Sequence, residues 1–341
     1  MNMQPIIIVG TGRCGSTMLS NALFRYEPIL VLSEFFSTLS SKAFVKTNLN
    51  GMEFCSILAD LRPIFKHLFQ HKINIEEYAN VENEFVPPML VNTLPALTKE
   101  ASTLYQEMIK YFSELPKMSI SDLYMNLFDW LRRYFNKNIW IERSGSSLEY
   151  VDSLVELFPN ARFIHIYRNG LDCAVSMSKH YGFKAAMLQS IVEELTGKNP
   201  FTDVLTEEEK EKIGGYANII PHEHFNSDIF MNYKIPLYKY GLLWTTQVLK
   251  TIKLFKNFSE EKFMSVCYED ILNNPQKELN KVMKFINSDF EDDKLIEEMS
   301  LGVNSNKKFN WEQNLTEEEK VQLINSCKLG MRALGYAKRR G

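Results

Sequence analysis

No apolar run in this chain of 341 residues approaches the roughly 20 that a membrane span requires. The first candidate, Ile6 to Val9, stops at Gly10, and Met1 to Gln4 is too short for a secretory leader. Cysteine is scarce: Cys14, Cys55, Cys173, Cys267 and Cys327 are five, an odd number, with no CxxC pair and no Cys/His cluster at metal-ligand spacing. A disulfide scaffold and a zinc module are therefore disfavoured, and a reducing, cytoplasmic setting with no metal is the expectation. An excess of one charge is missing too, with 39 basic against 42 acidic residues and a net charge of −3. That argues against a nucleic-acid partner or an anionic-membrane coat, while leaving room for a local basic pocket. Low-complexity linkers are absent as well. Hydrophobic residues at 45% and charged residues at 24% exclude a disordered chain, a collagen-like fibre and a coiled-coil rod. A chain of this length buries roughly 75% of its unfolded surface without staples.

What is present is α/β alternation. Pro5-Ile6-Ile7-Ile8-Val9 reads as a strand buried on both faces, and Met18 to Phe24 has helical spacing. Ile29 to Leu32, Ile139 to Ile141, Ala161 to Tyr167 and Phe263 to Val266 read as further strands. The expected fold is a three-layer α/β domain spanning residues 1–341, with a central parallel sheet of about five strands. Helical insertions at about 41–137 and 184–257 would form an acceptor side or lid. Ser146-Ser147-Leu148-Glu149 has the form of a capping box opening a helix, and Leu-Thr-Glu-Glu-Glu-Lys at 205–210 and 315–320 reads twice as a capped helix start. In a parallel sheet the ligand sits at the carboxyl ends of the strands, so the segments after Val9, Leu32, Ile141 and Tyr167 should share one crevice.

Two anion elements stand at such ends. Gly10-Thr11-Gly12-Arg13-Cys14-Gly15-Ser16-Thr17 is a glycine turn opening a helix, suited to hold phosphate on backbone N–H groups. It has the glycine spacing of the nucleotide-triphosphate loop, but Ser16 stands at the lysine position. Downstream, Arg168 leaves a strand and Ser176 follows on the next helix, an arginine fork plus hydroxyl suited to a phosphate monoester.

Together these residues resemble the sulfotransferases that use 3′-phosphoadenosine-5′-phosphosulfate, in the style of the protein-tyrosine, carbohydrate and bacterial members. Gly12 to Thr17 is similar to the family's 5′-phosphosulfate loop, and Arg168 to Ser176 to its 3′-phosphate motif. Tyr268-Glu269-Asp270-Ile271 with Asn274-Pro275 resembles its Tyr-Glu-Asp-Leu…Pro stretch, and Leu334-Gly335-Tyr336 its tail. The resemblance implies that Gly12, Arg13, Cys14, Gly15, Ser16 and Thr17 hold the 5′ end of the donor, Arg13 also stabilising the departing phosphate. It further implies that Arg168 and Ser176 bind the 3′-phosphate, that Tyr268 lines the adenosine side, and that His180 stands where some relatives place a second cation.

An attacking hydroxyl or amine must lose a proton, and Glu34, after the second strand, is the candidate base. Arg143 stands where the family carries lysine, with Gly145 in place of proline, and is a candidate contact to sulfate or acceptor. Lys307, Lys308 and Trp311 lie in a stretch similar to the loop that covers the donor. His165, in mid-strand, reads as core. Cys14, beside Arg13 at a helix start where a thiol pKa is lowered, has no base partner in the sequence and reads as a backbone contributor to the loop, open to oxidation. The expected acceptor is a small or medium-sized metabolite, in a chain that could pair as a homodimer. Two alternatives stand: a nucleotide-triphosphate-dependent kinase and a non-catalytic phosphonucleotide-binding protein.

Overall fold

The computed structural model describes residues 4–75, 78, 86–221, 224–303 and 311–336. Among them the strands are Ile6–Val9 (β1), Ile29–Ser33 (β2), Asn48–Leu49 (β3), Met118–Ser119 (β4), Ile139–Arg143 (β5), Arg162–Tyr167 (β6) and Phe263–Cys267 (β7). Five of them form one parallel sheet in the order β2-β5-β1-β6-β7. The other two, β3 and β4, pair as a short antiparallel ribbon, so the stretch from 41 to 137 is not helical throughout.

Residue alternation along β1 explains the three layers. Ile6 and Ile8 face a core built with the helices Ser16–Leu23, Gly170–Ser178, Leu237–Phe255 and Pro275–Ile286. Ile7 and Val9 face the opposite core, with the helices Gly51–Leu58, Ala101–Ser113, Ile120–Tyr134 and Val151–Leu157. Both sets are buried, which is why the strand carries no polar residue. Each such side chain contributes about 1.5–3 kcal/mol on leaving water. Phe35, Phe36, Tyr124 and Phe128 meet mostly edge to face in the second core and anchor the turn after β2. A third cluster joins Pro63–Gln70 to Tyr181–Thr196 and Ser227–Asn232 beside the sheet's carboxyl edge.

Both copies of the repeated hexamer are capping boxes, Thr206 with Glu209 and Thr316 with Glu319. Ser146 departs from the capping expectation. It adopts a left-handed φ of 58° and caps nothing, and Ser147–Glu149 is a short 3-10 turn before Val151–Leu157. The competing demand is tertiary: the Ser147 hydroxyl accepts the N–H of Gly10 at 3.1 Å, tying this turn to the glycine loop.

Candidate active site

All main-sheet strands run parallel, so the turns after β1, β2, β5 and β6 emerge on one edge. Order reverses about β1, with β5 on one side and β6 on the other, which places a crevice at its carboxyl end. A cavity of about 530 Å³ lies there, lined by residues from all four turns.

The glycine loop forms one wall. Gly12 and Gly15 have φ of 77° and 93°. A Cβ on Gly12 would strike Phe183 and Ser146, and one on Gly15 the Tyr268 ring. Gly15 precedes the helix Ser16–Leu23 and supplies no capping side chain, so the first-turn N–H groups keep their capacity for an anion. Arg13, itself at φ 53°, donates from Nε to the Ser176 hydroxyl at 3.1 Å. Arg168 donates to the Arg13 carbonyl at 3.4 Å, pairs with Asp172 at 3.5 Å and lies over the Tyr268 ring at 4.8 Å. Gly12, Arg13, Gly15, Ser16, Thr17, Arg168 and Ser176 line the cavity; Tyr268 backs Arg168.

Cys14 corrects the sequence expectation. It is fully buried in the core, and that burial raises its thiol above the ordinary value despite nearby backbone N–H groups that work the other way. A reactive thiolate is not its state. Burial likewise pushes His165 down to about 4, with Ser265 3.4 Å from Nδ1, in keeping with a core histidine.

The turn after β2 presents Glu34 at φ 57°, only 5% exposed yet on the cavity wall. Its carboxylate pairs with Arg143 from β5 and accepts from the Ser37 hydroxyl at 2.7 Å and the Gly145 N–H at 2.9 Å. Proline at 145 would have no N–H to give, so this contact requires a residue other than proline there. Arg143 also donates to the Ser33 hydroxyl at 3.1 Å. Arg13, Glu34 and Ser146 are three of the six non-glycine residues with positive φ among the described residues, and all three line the cavity, a concentration of backbone strain typical of functional sites.

Sequence reasoning missed several neighbours. Arg62 and Glu149 pair across the cavity at 2.6 Å, a contact between distant segments with no local signal. Glu142 lies fully buried behind Arg143, where burial lifts its carboxyl to about 8, opposed by the Ser144 hydroxyl and reinforced by Glu34. His180 lines the cavity and also caps Tyr181–Thr196, its Nδ1 accepting from the Phe183 N–H at 3.3 Å. Lys307 and Lys308 lie outside the described residues. Trp311 packs partly buried against the first core.

Fold and site thus define an α/β protein with a glycine loop and an uncapped helix start on a cavity at the head of a parallel sheet. Residues 5–203 match the model of the sulfotransferase family, and the chain belongs to that family. No curated protein matches it. Among solved structures it is similar to a sulfotransferase domain from the curacin biosynthetic pathway, at 15% identity and TM-score 0.46, covering 86% of this chain and 77% of that one. Sulfotransferase STF9 from Mycobacterium avium aligns at 11% identity and TM-score 0.44, over 97% and 76% of the two chains. Mouse sulfotransferase SULT7A1, complexed with PAP, aligns at 12% and 0.39, over 99% and 88%. No described helix is long and apolar enough to cross a membrane, and no group of three His, Cys, Asp or Glu side chains among the described residues could hold a metal.

Proposed function

We propose that this sulfotransferase carries a sulfuryl group from 3′-phosphoadenosine-5′-phosphosulfate to a hydroxyl or amine of a small or medium-sized metabolite, with Glu34 as the base. One observation carries the reading: Glu34, the glycine loop and the Arg13–Ser176–Arg168 cluster line the same cavity. The cradle fits the donor's 5′ end, because its glycines let the loop pass close to Phe183, Ser146 and Tyr268 and its uncapped helix start offers N–H groups to an anion. Arg168 with Ser176 fits its 3′-phosphate.

In this chemistry the acceptor atom bonds to sulfur while the bridging S–O bond breaks, and that electron pair leaves with the 5′-phosphate. Glu34 takes the acceptor's proton, and Arg143 with the Gly145 N–H keeps the carboxylate aimed into the cavity. Arg13 and the loop N–H groups meet the charge that grows on the leaving phosphate. Cavity walls from Ile64, Phe65 and Phe183 give the acceptor an apolar surface, and the Arg62–Glu149 pair adds a polar one.

Labelled-sulfate transfer to a metabolite extract tests the activity, and calorimetry tests the site. Adenosine 3′,5′-bisphosphate should bind without magnesium, and Glu34→Gln should lower turnover about 10²–10⁴-fold while leaving that affinity within twofold. Near-normal turnover in the variant would remove Glu34 from the mechanism. Magnesium-dependent ATP binding in place of bisphosphate binding would turn the reading to a kinase.

A further inference from the structure

We propose that Tyr336 is a positioning residue for the 3′-phosphate arm of the donor site, acting through Glu269 across three separate segments of the chain. The inference rests on the donor reading above, which places the 3′-phosphate at Arg168.

The link is a single shared carboxylate. Glu269 Oε1 accepts the backbone N–H of Asn169 at 2.9 Å, and Oε2 accepts the Tyr336 hydroxyl at 2.8 Å. The Cys267 thiol donates to the same oxygen at 3.1 Å. Asn169 is the hinge of the motif: it follows Arg168 directly, and its side chain caps the helix Gly170–Ser178, which carries Asp172 and Ser176. The residue before Glu269, Tyr268, supports the Arg168 guanidinium on its ring face. Consecutive residues thus hold Arg168 from two sides, the ring beneath its charge and the carboxylate on the backbone beside it.

Tyr336 fixes that carboxylate. Its ring is buried edge-on against Tyr167, the last residue of β6, at 6.1 Å. The helix Glu317–Ala333 leads into it and touches the same motif, with Met331 Sδ accepting from the Gly170 N–H at 3.3 Å. A carboxylate this near an anion-binding arginine works against phosphate by simple repulsion. Its presence is explained when its charge is spent on the Asn169 N–H and the Tyr336 hydroxyl, holding the turn in the shape that aims Arg168.

The test compares two ligands, adenosine 3′,5′-bisphosphate and adenosine 5′-phosphate, by calorimetry on the full chain. Wild type should prefer the bisphosphate; equal affinities would overturn the donor reading itself. Given that preference, Tyr336→Phe should weaken the bisphosphate about five- to tenfold and the monophosphate less than twofold. Equal weakening of both ligands, or of neither, would overturn the positioning role while leaving the donor reading in place. Glu269→Gln provides a second arm, because its amide still accepts from Asn169 and can donate to the Tyr336 oxygen. That variant should keep the preference within about twofold of wild type, whereas Glu269→Ala should lose it as Tyr336→Phe does. Identical behaviour of the glutamine and alanine variants would likewise overturn the proposal.

Discussion

Glu142 and Arg143 are sequence neighbours on β5 with opposite electrostatic fates. Arg143 finds Glu34 and sits in a buried ion pair, whereas Glu142 has the Ser144 hydroxyl on one oxygen and no partner on the other. Ser144 cannot give more. Its oxygen accepts the N–H groups of Phe36 and Ser37 at 2.9 and 3.3 Å, so its only proton goes to Glu142. Tyr150, buried nearby, is raised well above its ordinary value, by burial first and by Glu142 next. Burial therefore favours the neutral acid, and the carboxyl rises to about 8. A raised acid stabilises the fold fully below its unfolded value, and that stability is lost as pH climbs through the folded one. Wild type should accordingly lose stability between about pH 4.5 and 8 relative to Glu142→Gln, whose carbonyl still accepts from Ser144. Urea melts of the two proteins at pH 5, 7 and 9 should diverge progressively, by a few kcal/mol at the alkaline end. Parallel curves would show that Glu142 is ionised throughout.

Local patterns in the sequence succeeded where the element's own backbone decides the outcome. Thr206 and Thr316 head the same hexamer and form the same cap, each hydroxyl accepting the N–H three residues on while the glutamate returns the bond. Thr316→Ala should cost about 1 kcal/mol and lower the melting temperature by a few degrees. An unchanged melt would mean that the helix Glu317–Ala333 is held by packing alone. Ser146-x-x-Glu149 has matching residue types and fails as a box, because the cavity claims both ends. Ser146 turns to a positive φ on the cavity wall, and Glu149 reaches Arg62. The same division runs through the site. The glycine loop and Arg168 were legible because a strand followed by a glycine turn, or by an arginine, is a contiguous signal. Glu34 was legible from its place after a strand. The Arg62–Glu149 pair, the solitary burial of Glu142 and the Tyr268 ring beneath Arg168 join segments far apart in sequence, and only the folded chain brings them together. Cys14 failed for a related reason: a helix start and a nearby arginine argue for a thiolate, but neither reports that the side chain faces the core.

At the scale of the molecule, a net charge of −3 conceals a cavity lined by Arg13, Arg62, Arg143 and Arg168. Three of these arginines bring a carboxylate of their own: Glu149 for Arg62, Glu34 for Arg143 and Asp172 for Arg168. The cavity is thus near balance before any ligand enters, and an incoming dianion must share Arg168 with Asp172. Burial raises the Asp172 carboxyl to about 6, against the pull of Arg168 and with a further push from Glu269. A phosphate at Arg168 adds negative charge beside this acid and raises it further, so binding and protonation favour each other. The Asp172 contribution to bisphosphate affinity is therefore most favourable below about pH 6 and declines as pH rises past it. The phosphate itself titrates nearby, so the informative quantity is the affinity of wild type divided by that of Asp172→Asn, in which the ligand's own protonation cancels. That ratio should fall about tenfold or more from pH 5.5 to 8, with calorimetry in buffers of different ionisation heat showing proton uptake by wild type beyond that of the variant. A ratio flat across this range would mean that Asp172 is ionised equally in the free and bound protein, and that Arg168 satisfies carboxylate and phosphate together.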